Sequence, residues 1–302
     1  MAEITAGMVK ELRERTGLGM MECKKALEEA GGDLKKAEEL LRIKSGAKAS
    51  KAAGRVAADG AIGACIEGNV GALVEVNSET DFVAKSPDFI AFAAAVAKLV
   101  VAKNPADVAA LAELQIGGES VEATRQKLVQ KIGENIAVRR FERIEAKGKL
   151  LDYVHPGAKV AVIVDYEGDP EVAKDLTHHI AFAKPKYMGK AELPADAIAA
   201  ERKILEARAK ESGKPPEIVA KMVDGGINKF IAESTLMGQP FVKDDKLTVE
   251  KMLAAKKTKL DGYRVLVVGE GIEKKQSDFA AEVASLVEKD GGAGAARTKN
   301  AA

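Results

Sequence analysis

An acid and an aromatic ring follow an apolar run near the start of the chain, where both could be offered to a partner. Residues 72–76 read Ala-Leu-Val-Glu-Val, as a strand would, and residues 77–84 continue Asn-Ser-Glu-Thr-Asp-Phe-Val-Ala. Aromatic residues are scarce, since the 302 residues include eight Phe, four Tyr and no Trp. By spacing alone, the commoner arrangement has Thr80 or Asp81 cap a turn or helix while Phe82 folds back into the core. A contact surface at the strand end is the second interpretation.

The side chains that usually build active sites lack the spacing that catalysis or metal binding requires. The adjacent His178 and His179 would point about 100° apart on a helix, so they cannot chelate one metal as residues i and i+4 do, and the third histidine is His155. Cys23 and Cys65 lack Cys-x-x-Cys spacing, which argues against a zinc site or a disulfide framework and suits a reducing compartment. The sequence contains no phosphate-binding loop, serine-hydrolase elbow or zinc-protease motif. Enzymatic activity is therefore the least favoured hypothesis, and no cofactor or metal is predicted.

The overall charge is nearly balanced, but one segment is strongly basic. A formal net charge of +1 with 31% charged residues describes a well-solvated globular chain, long enough for two or three domains. No run approaches the ~20 apolar residues that cross a bilayer, and the first residues lack a signal sequence, so we expect a cytoplasmic protein without membrane contact. Five cations follow one another without an acid between them: Arg42, Lys44, Lys48, Lys51 and Arg55. They predict a basic linker, for which a solvated connector is favoured over a surface for RNA or an acidic protein.

The elements that precede the acid and the aromatic ring are predicted to be three short helices within the first 45 residues. Thr5 and Asp33 are placed to cap the first and third helices, and Gly31-Gly32 ends the second. The second apolar stripe contains Met20, Cys23, Ala26, Leu27 and Ala30. A module this small buries little by itself, and with an apolar Gly-Leu-Gly-Met-Met loop at residues 17–21 it is typical of a docking device for another protein.

The rest of the chain predicts two related subdomains, each a small antiparallel sheet with helices on one face. Two strands, a turn and a helix occur in the same order twice. The predicted ranges are strands at 60–66 and 72–76 with a helix at 89–101, then strands at 150–154 and 160–165 with a helix at 171–183. A further helix is expected at 121–132, and further strands are expected at 136–144 and 263–268, the latter completing the second sheet. The predicted fold class is therefore α+β.

A helical hairpin is predicted to interrupt the second subdomain. Residues 196–212 and 217–230 have helical patterns separated by Gly-Lys-Pro-Pro. Their narrow apolar stripes, Ile198, Leu205 and Ala209 against Ile218, Met222 and Val223, favour an antiparallel coiled-coil arm of about 24 Å. Beyond the last strand, Gly269-Glu270-Gly271 indicates a bulge or turn rather than a nucleotide site. A final helix at 278–287 and a Gly/Ala-rich tail follow.

Several motifs in the same order resemble the elongation factor Ts family, which exchanges the guanine nucleotide of the GTPase elongation factor Tu. They span nearly the whole chain, and their joint occurrence is far more specific than any one of them. The matching segments are residues 4–17, 20–27, 76–77 with 80–84, 131–135 (Lys-Ile-Gly-Glu-Asn), 238–242 (Gly-Gln-Pro-Phe-Val) and 268–274 (Val-Gly-Glu-Gly-Ile-Glu-Lys).

The resemblance implies domain boundaries that agree with those drawn from periodicity. It implies a ubiquitin-associated-like three-helix domain, two core subdomains, an inserted antiparallel coiled coil and a C-terminal module. In this chain they correspond to residues 1–55 with the basic linker, 56–148, 149–185 with 226–274, 186–225, and 275–302.

The resemblance also implies a site and a partner. In the family, the segment corresponding to Thr80, Asp81, Phe82 and Val83 displaces Mg²⁺ from elongation factor Tu, with the Phe wedged between helices of the GTPase domain and the Asp near the metal. Lys24, Ile132 and His155 match positions of partner contact. The chain would promote exchange of GDP for GTP and stabilise nucleotide-free Tu, without binding nucleotide or catalysing a reaction itself.

Three other interpretations of the sequence stay open at this point. A ubiquitin-associated-like scaffold would bind a protein without promoting exchange. An RNA-binding protein would use the basic linker, although near-neutral charge and few aromatics argue against nucleic acid. The coiled coil also offers a route to a homodimer.

Overall fold

The computed structural model describes residues 4–211 and 215–273. They divide into one unit that ends at Glu270 and a second that begins at Gly271. The N-terminal module consists of three helices, α1 (Ala6–Thr16), α2 (Met20–Glu29) and α3 (Leu34–Ala52). Its core is made of apolar residues with at most 8% exposure: Val9, Leu12, Leu18, Cys23, Ala26, Leu27, Ala37 and Leu41. The three helices predicted here are present.

The two predicted caps form, whereas one residue of the predicted apolar stripe lies on the surface. The Thr5 hydroxyl accepts the Met8 N–H, and the Asp33 carboxylate accepts the N–H groups of Lys35 and Lys36. Met20 is 61% exposed, so its assignment to the buried stripe was wrong. It is the first residue of α2, ahead of the turn whose inward face begins at Cys23.

The first half of the core is a three-stranded antiparallel sheet covered by helices. Its strands lie in the order β1-β2-β5, and β1 and β2 form the predicted hairpin. Its elements are β1 (Asp59–Glu67), β2 (Val70–Ser78), α4 (Asp81–Ala84), α5 (Pro87–Lys103), α6 (Val108–Glu113), the two-residue β3 (Gln115–Ile116) and β4 (Glu119–Ser120), α7 (Val121–Ile132) and β5 (Ala137–Glu145).

The basic segment predicted as a linker is the second part of a continuous helix. Helix α3 extends to Ala52 and packs along α7, with Ser45, Ala49 and Ala52 buried on one edge. These small residues recur at three- and four-residue spacing, which lets two helices approach closely. Of the cations, Lys44 pairs with Glu29 and Lys48 with Glu22. The linker prediction was therefore wrong, because a small-residue run that resembles a flexible connector forms the buried edge of a helix.

The second half repeats the layout of the first. Its sheet has the order β6-β7-β10, so that in each half a hairpin is followed by helices and then by a third strand beside the second strand. Its elements are β6 (Lys149–Val154), β7 (Val160–Glu167), α8 (Pro170–Ala183), α9 (Ala195–Glu211), α10 (Pro216–Ser234), β8 (Pro240–Phe241), β9 (Asp244–Thr248), α11 (Val249–Ala255) and β10 (Lys259–Val267). This is the predicted α+β class, with the third strand of the second sheet where it was expected.

The two sheets pack against each other through the faces that the helices leave uncovered. This layer consists of Ile62, Leu73, Ile144, Ala161, Ile163 and Leu266. Along β7, Ala161 and Ile163 face the other sheet while Val162 and Val164 face helices, because successive strand residues alternate in direction. Contact between the sheets was not part of the sequence prediction.

A buried carboxylate lies at the edge of this layer. Glu75 has no solvent exposure and accepts hydrogen bonds from Arg139 at 3.0 Å, Arg140 at 2.6 Å, Asn77 at 3.1 Å and the Gly269 N–H at 2.8 Å. Burial alone raises the pKa of Glu75, but the hydrogen bonds from Gly269 and from the two arginines outweigh it and hold the pKa below its ordinary value. The cluster joins β2 and β5 of the first half to the turn after β10.

The predicted helical hairpin is formed by α9 and α10, but one of its apolar stripes differs. Ile198, Leu205 and Ala209 of α9 pack as predicted. Ile218 and Met222 are 45% and 40% exposed, so their assignment was wrong, and α10 instead contributes Val219, Val223, Ile227 and Ile231. The stripe continues at four-residue spacing through the predicted boundary between residues 225 and 226, so the helix of the insertion runs to Ser234.

The remaining predictions concern the end of the chain and membrane contact. Gly269 has a positive φ of 72° and lies in a turn, as expected. The helix predicted at 278–287, the tail and the module at 275–302 lie outside the described residues. Among the residues that the structure describes, none of the helices is both long and apolar enough to cross a membrane.

Candidate functional site

The segment Thr80-Asp81-Phe82-Val83, called the TDFV segment below, forms a single helical turn at the end of β2. Strand β2 ends at Ser78, and the Thr80 hydroxyl accepts the Val83 N–H at 3.4 Å as the cap of α4. Val83 packs against the core of the first half, and Ala84 is buried. Phe82 is 81% exposed. The structure therefore combines the two interpretations: Thr80 caps a helix, as expected of a local turn, while the aromatic ring points into solvent.

Asp81 is a charged and exposed neighbour of that ring. Its carboxylate pairs with Lys85 at 2.6 Å, one helical turn further on. This hydrogen bond from Lys85 holds the pKa of Asp81 below its ordinary value, so the group is ionised at neutral pH. An exposed pair of this kind contributes little to stability, because solvent screens it. Asp81 can therefore exchange Lys85 for another cation or donor at little cost.

Two carboxylates, those of Glu134 and Glu79, hold the base of the segment. Glu134, which follows α7, accepts the Glu79 N–H at 3.1 Å, the Thr80 N–H at 3.0 Å and the Thr80 hydroxyl at 2.6 Å. The Glu79 carboxylate in turn accepts from Arg55 at 2.7 Å. The exposed ring thus projects from a turn whose first residues are tied to another part of the fold.

Lys24 lines an open groove between the N-terminal module and the end of α7. The groove has a volume of about 1050 Å³ and is lined by Ile4, Ala6, Val9, Lys10, Arg13, Glu14, Gly17, Met20, Met21, Lys24 and Lys131. Met20 and Met21 are 61% and 62% exposed, so the apolar part of the groove is accessible. Lys131 also pairs with Asp88 at 2.6 Å, in the first turn of α5. The groove therefore offers methionine side chains bordered by several cations.

Ile132 lies beside the groove residue Lys131 but has a different environment. Its side chain is half-buried and packs against the core of the first half. Ile132 is also the last residue of α7, immediately before Gly133. Its contact with a partner would therefore involve only the part of the side chain that the core leaves uncovered.

His155 lies in the exposed turn between β6 and β7, at the same end of the sheets as the TDFV segment. Its Nδ1 is 2.8 Å from the Tyr153 hydroxyl. The turn is tied to β1, since Lys159 contacts Asp59 and donates to the Gly60 carbonyl at 2.8 Å. Asp59 pairs with Ser78, two residues before Thr80. The structure thus brings a second-half turn and the TDFV segment to one end of the packed sheets.

The remaining histidines do not form a metal site. His179 is 2% exposed, its Nε2 lies 3.0 Å from Gln239, and its Nδ1 accepts the Val242 N–H at 3.2 Å. Burial lowers the pKa of His179, which keeps it neutral in the core. His178 stacks edge-on with Tyr153, with ring centroids 4.4 Å apart. Within the described ranges, we find no group of three His, Cys, Asp or Glu side chains that could hold a metal ion.

The sequence interpretation missed the role of Glu134, and it assigned Met20 both to an apolar helix stripe and to an apolar docking loop at residues 17–21, of which the exposure of Met20 and Met21 fits the loop. Glu134 and Thr80 are 54 residues apart, so only the folded chain reveals their hydrogen bonds. The presence of Glu134 in the Lys-Ile-Gly-Glu-Asn motif was the available signal. For Met20, the signal was its place directly after Gly19, at a helix start rather than within a helical repeat.

Comparison with known proteins gives a consistent result over most of the chain. The profile of the family described as Elongation factor TS matches residues 79–270. The chain is 59% identical over 285 residues to Elongation factor Ts of Chromobacterium violaceum, covering 94% of this chain and 99% of that protein. It is 58% identical over 287 residues to Elongation factor Ts of Cupriavidus necator, covering 95% and 98%. For Elongation factor Ts of Bordetella petrii, identity is 60% over 287 residues, covering 94% and 98%.

Proposed function

The chain belongs to the elongation factor Ts family and is a translation elongation factor, and on this premise we propose that it binds elongation factor Tu carrying GDP and promotes exchange of GDP for GTP. It acts in the cytoplasm as an exchange factor rather than as an enzyme. The nucleotide and the Mg²⁺ on which it acts belong to Tu, so it needs no nucleotide site or cofactor of its own.

The TDFV segment weakens nucleotide binding by disturbing the Mg²⁺ site of Tu. A bound guanine nucleotide is held partly by Mg²⁺ that bridges its phosphates and the protein, so displacing the ion speeds release without contact to the base. Phe82 enters between helices of the GTPase domain, and the ionised Asp81 lies beside the metal region. The observation that carries this proposal is the 81% exposure of Phe82 on a turn whose base is tied by Glu134.

Phe82 requires a wider docking surface to have this effect. Burying one Phe side chain contributes about 1.5–3 kcal/mol. Shifting Tu between two states from a ratio of 1:99 to one of 99:1 requires the factor to bind the favoured state about 5.5 kcal/mol more tightly than the other. The rest of this binding free energy comes from the groove that contains Lys24, from the region of Ile132, and from the second half with His155. The N-terminal module contacts the GTPase domain, and the second half contacts another domain of Tu.

The coupling between factor and nucleotide is reciprocal. If the factor lowers the affinity of Tu for nucleotide, nucleotide lowers the affinity of Tu for the factor by the same ratio. Incoming GTP therefore helps to release the factor. The factor speeds exchange and stabilises nucleotide-free Tu transiently, while the nucleotide concentrations set the end point.

We expect Phe82→Ala to slow stimulated GDP release without unfolding the protein. The measurement is release of labelled GDP from Tu into excess GTP, recorded over a range of factor concentrations. Loss of 1.5–3 kcal/mol of contact predicts a roughly 10- to 100-fold lower maximal rate. Complex formation weakens only in part, because the wider surface is unchanged.

Ile204→Ala is the control, because Ile204 is a large apolar residue that is 45% exposed and lies on α9, a helix to which we assign no contact with Tu. This variant should retain the maximal rate. If Phe82→Ala stimulated GDP release normally, the proposed insertion of Phe82 between helices of the GTPase domain would be wrong. If the wild type did not stimulate release at all, a scaffold without exchange activity would be favoured.

Chelation of Mg²⁺ separates action at the metal from action elsewhere. EDTA should raise the rate at which Tu alone releases GDP. It should also reduce the difference in stimulated GDP release between the wild type and Phe82→Ala. An undiminished difference in EDTA would show that Phe82 does not act through the metal.

A further inference from the structure

The Glu134 carboxylate accepts three hydrogen bonds from the residues that lead into the exposed turn. One oxygen accepts the N–H groups of Glu79 and Thr80 at 3.1 and 3.0 Å, and the other accepts the Thr80 hydroxyl at 2.6 Å. The same hydroxyl accepts the Val83 N–H at 3.4 Å. A chain of hydrogen bonds therefore runs from Glu134 to both ends of the four-residue segment that carries Phe82.

A second set of bonds extends this contact to the N-terminal module. The Glu79 carboxylate accepts from the Arg55 side chain at 2.7 Å and from the Asn135 N–H at 2.5 Å. Arg55 also donates to the Gly133 carbonyl at 2.7 Å, and the Asn135 amide donates to the Arg55 carbonyl at 2.7 Å. We call Arg55, Glu79, Thr80, Glu134 and Asn135 the Glu134 cluster. It joins the segment after α3, the segment after β2 and the segment after α7.

The local backbone explains why Glu134 stands where it does. Helix α7 ends at Gly133, whose φ of 88° lies in the left-handed region, and the Gly133 N–H donates to Val129 at 2.8 Å. A residue with a Cβ is strained at this φ, so glycine suits the position. The chain turns there, and the next two residues supply the carboxylate and the amide of the Glu134 cluster.

We propose that Glu134 is a positioning residue for exchange, which holds the TDFV segment ordered and at a fixed spacing from the groove of the N-terminal module. An exposed turn that is free to move must be ordered when it binds, and that ordering opposes binding. The Glu134 cluster orders the turn beforehand. Glu134 acts through Phe82 and need not touch Tu. This inference rests on the proposed function, and it assigns a role to the Gly-Glu-Asn part of a motif that the docking surface does not otherwise use.

Kinetics of stimulated GDP release provide the first test. Glu134→Ala should lower the maximal rate about 10- to 100-fold, because a small displacement of a positioned group has an effect of this size. The factor concentration for half-maximal stimulation should change by less than about threefold, since the docking surface is intact. Glu134→Gln should retain most of the rate, because its carbonyl can accept both N–H groups while its amide donates to the Thr80 hydroxyl. Glu113→Ala, at an exposed glutamate of α6, is the matched control and should behave as wild type.

A double-mutant cycle with Phe82 separates positioning from a general structural effect. If Glu134 acts through the ring, Glu134→Ala should cause no further loss of rate in the Phe82→Ala background. Equal loss in both backgrounds would overturn the proposal. So would an unchanged maximal rate in Glu134→Ala.

A third measurement tests the Glu134 cluster without Tu. The chain contains no Trp, so Phe82→Trp places a single fluorescent reporter at the tip of the segment. Adding Glu134→Ala should increase the fast component of its anisotropy decay and speed amide exchange at Glu79 and Thr80, while circular dichroism shows a folded chain. Unchanged anisotropy and exchange would overturn the positioning role. If wild-type factor failed to stimulate release at all, the proposed function would fail, and this measurement would still decide whether Glu134 orders the turn.

Discussion

At the scale of single residues, Glu75 is a charge that the fold encloses completely. Its carboxylate is fully buried between the sheets and has four hydrogen-bond donors. Such a group is favourable only while all its partners are in place, because an uncompensated buried charge is strongly destabilising. Two of these partners, Arg139 and Arg140, also bond the Glu270 carbonyl and the Val267 carbonyl. The ionisation of one side chain therefore affects how the end of β10 is held.

We expect Glu75→Gln to lower the free energy of unfolding by about 1–3 kcal/mol, because it leaves the half-buried Arg139 and Arg140 without the charge of Glu75. The pH dependence should change as well. The pKa of Glu75 is lower in the folded protein than its ordinary value of 4.5. The carboxylate therefore contributes stability above that value, and this contribution is lost as the pH falls through the folded pKa.

Denaturant unfolding between pH 3 and pH 7 checks this prediction. The variant should lose less stability than the wild type on acidification. Glu142→Gln is the control, since Glu142 pairs with Arg264 in an exposed setting and should change stability by no more than about 1 kcal/mol. Parallel pH profiles for wild type and Glu75→Gln would contradict the role of the buried carboxylate.

For single residues, interactions between neighbours in the chain could be predicted from the sequence. Which side of a helix is buried, and which residues distant in sequence are in contact, could not. Thr5 and Asp33 were correctly expected as caps, and Thr80 was one of two residues expected to cap its turn, because a cap involves only neighbours in the chain. The outward direction of Phe82 could not be read in this way, since in a single turn the next residue, Val83, faces inward. Which of two adjacent apolar residues is buried depends on what the fold places beneath the helix.

At the scale of elements, the hairpin of α9 and α10 has a core of its own. Its apolar contacts are made between the two helices, in a cluster separate from those of the sheets. Helix α10 contains Gly226, where an added Cβ would lie 2.7 Å from a methyl carbon of Leu205. A glycine within a helix lowers stability by roughly 0.5–1 kcal/mol relative to Ala, so close approach of the two helices accounts for its place here.

We expect Ile227→Ala to destabilise this hairpin by about 2–4 kcal/mol, because the side chain is 5% exposed and lies in its core. Hydrogen exchange should show faster exchange in residues 195–211 and little change in the sheets. Ile218→Ala is the matched control, at a residue that is 45% exposed on the same helix, and should change stability by no more than about 0.5 kcal/mol. A larger loss of stability in Ile218→Ala than in Ile227→Ala would contradict this core and support the stripe predicted from the sequence.

The helices and strands were more predictable than the way they pack. Residues 121–132 were expected to be helical and are, because their apolar period and their terminal Gly133 agree. The basic segment was misassigned because Ala, Ser and Gly are common both in flexible linkers and at close helix contacts. Only the presence of α7 beside α3 decides between the two.

At the scale of the whole molecule, the two repeated halves share one apolar layer. Residues 71–78 of β2 are buried without interruption, although a strand covered on one side only would alternate. Part of this pattern was visible in the sequence as the apolar run at residues 72–76, interrupted by Glu75, but a run of that kind does not identify what covers each face. The related halves were predictable from order and spacing, whereas their contact required the structure.

We expect Ile163→Ala to lower the free energy of unfolding by about 2–5 kcal/mol, because Ile163 is fully buried between the sheets. Since the layer is shared, amide protection should fall in β2 as well as in β7. Ile90→Ala, at a residue of α5 that is 50% exposed, is the control and should change stability by no more than about 0.5 kcal/mol. Loss of protection in β7 alone would show that the halves unfold independently.

The unbroken helix α3 also limits how the length of the chain can vary. In a flexible connector, an added residue costs little, because closure entropy changes slowly with loop length. In α3, each residue inserted near Ala49 would rotate the preceding part of the module by about 100° and displace it by about 1.5 Å. Lys24 and the exposed methionines would then face a different direction from Phe82. Insertions and deletions in this segment are therefore expected to be as damaging as loss of a buried side chain.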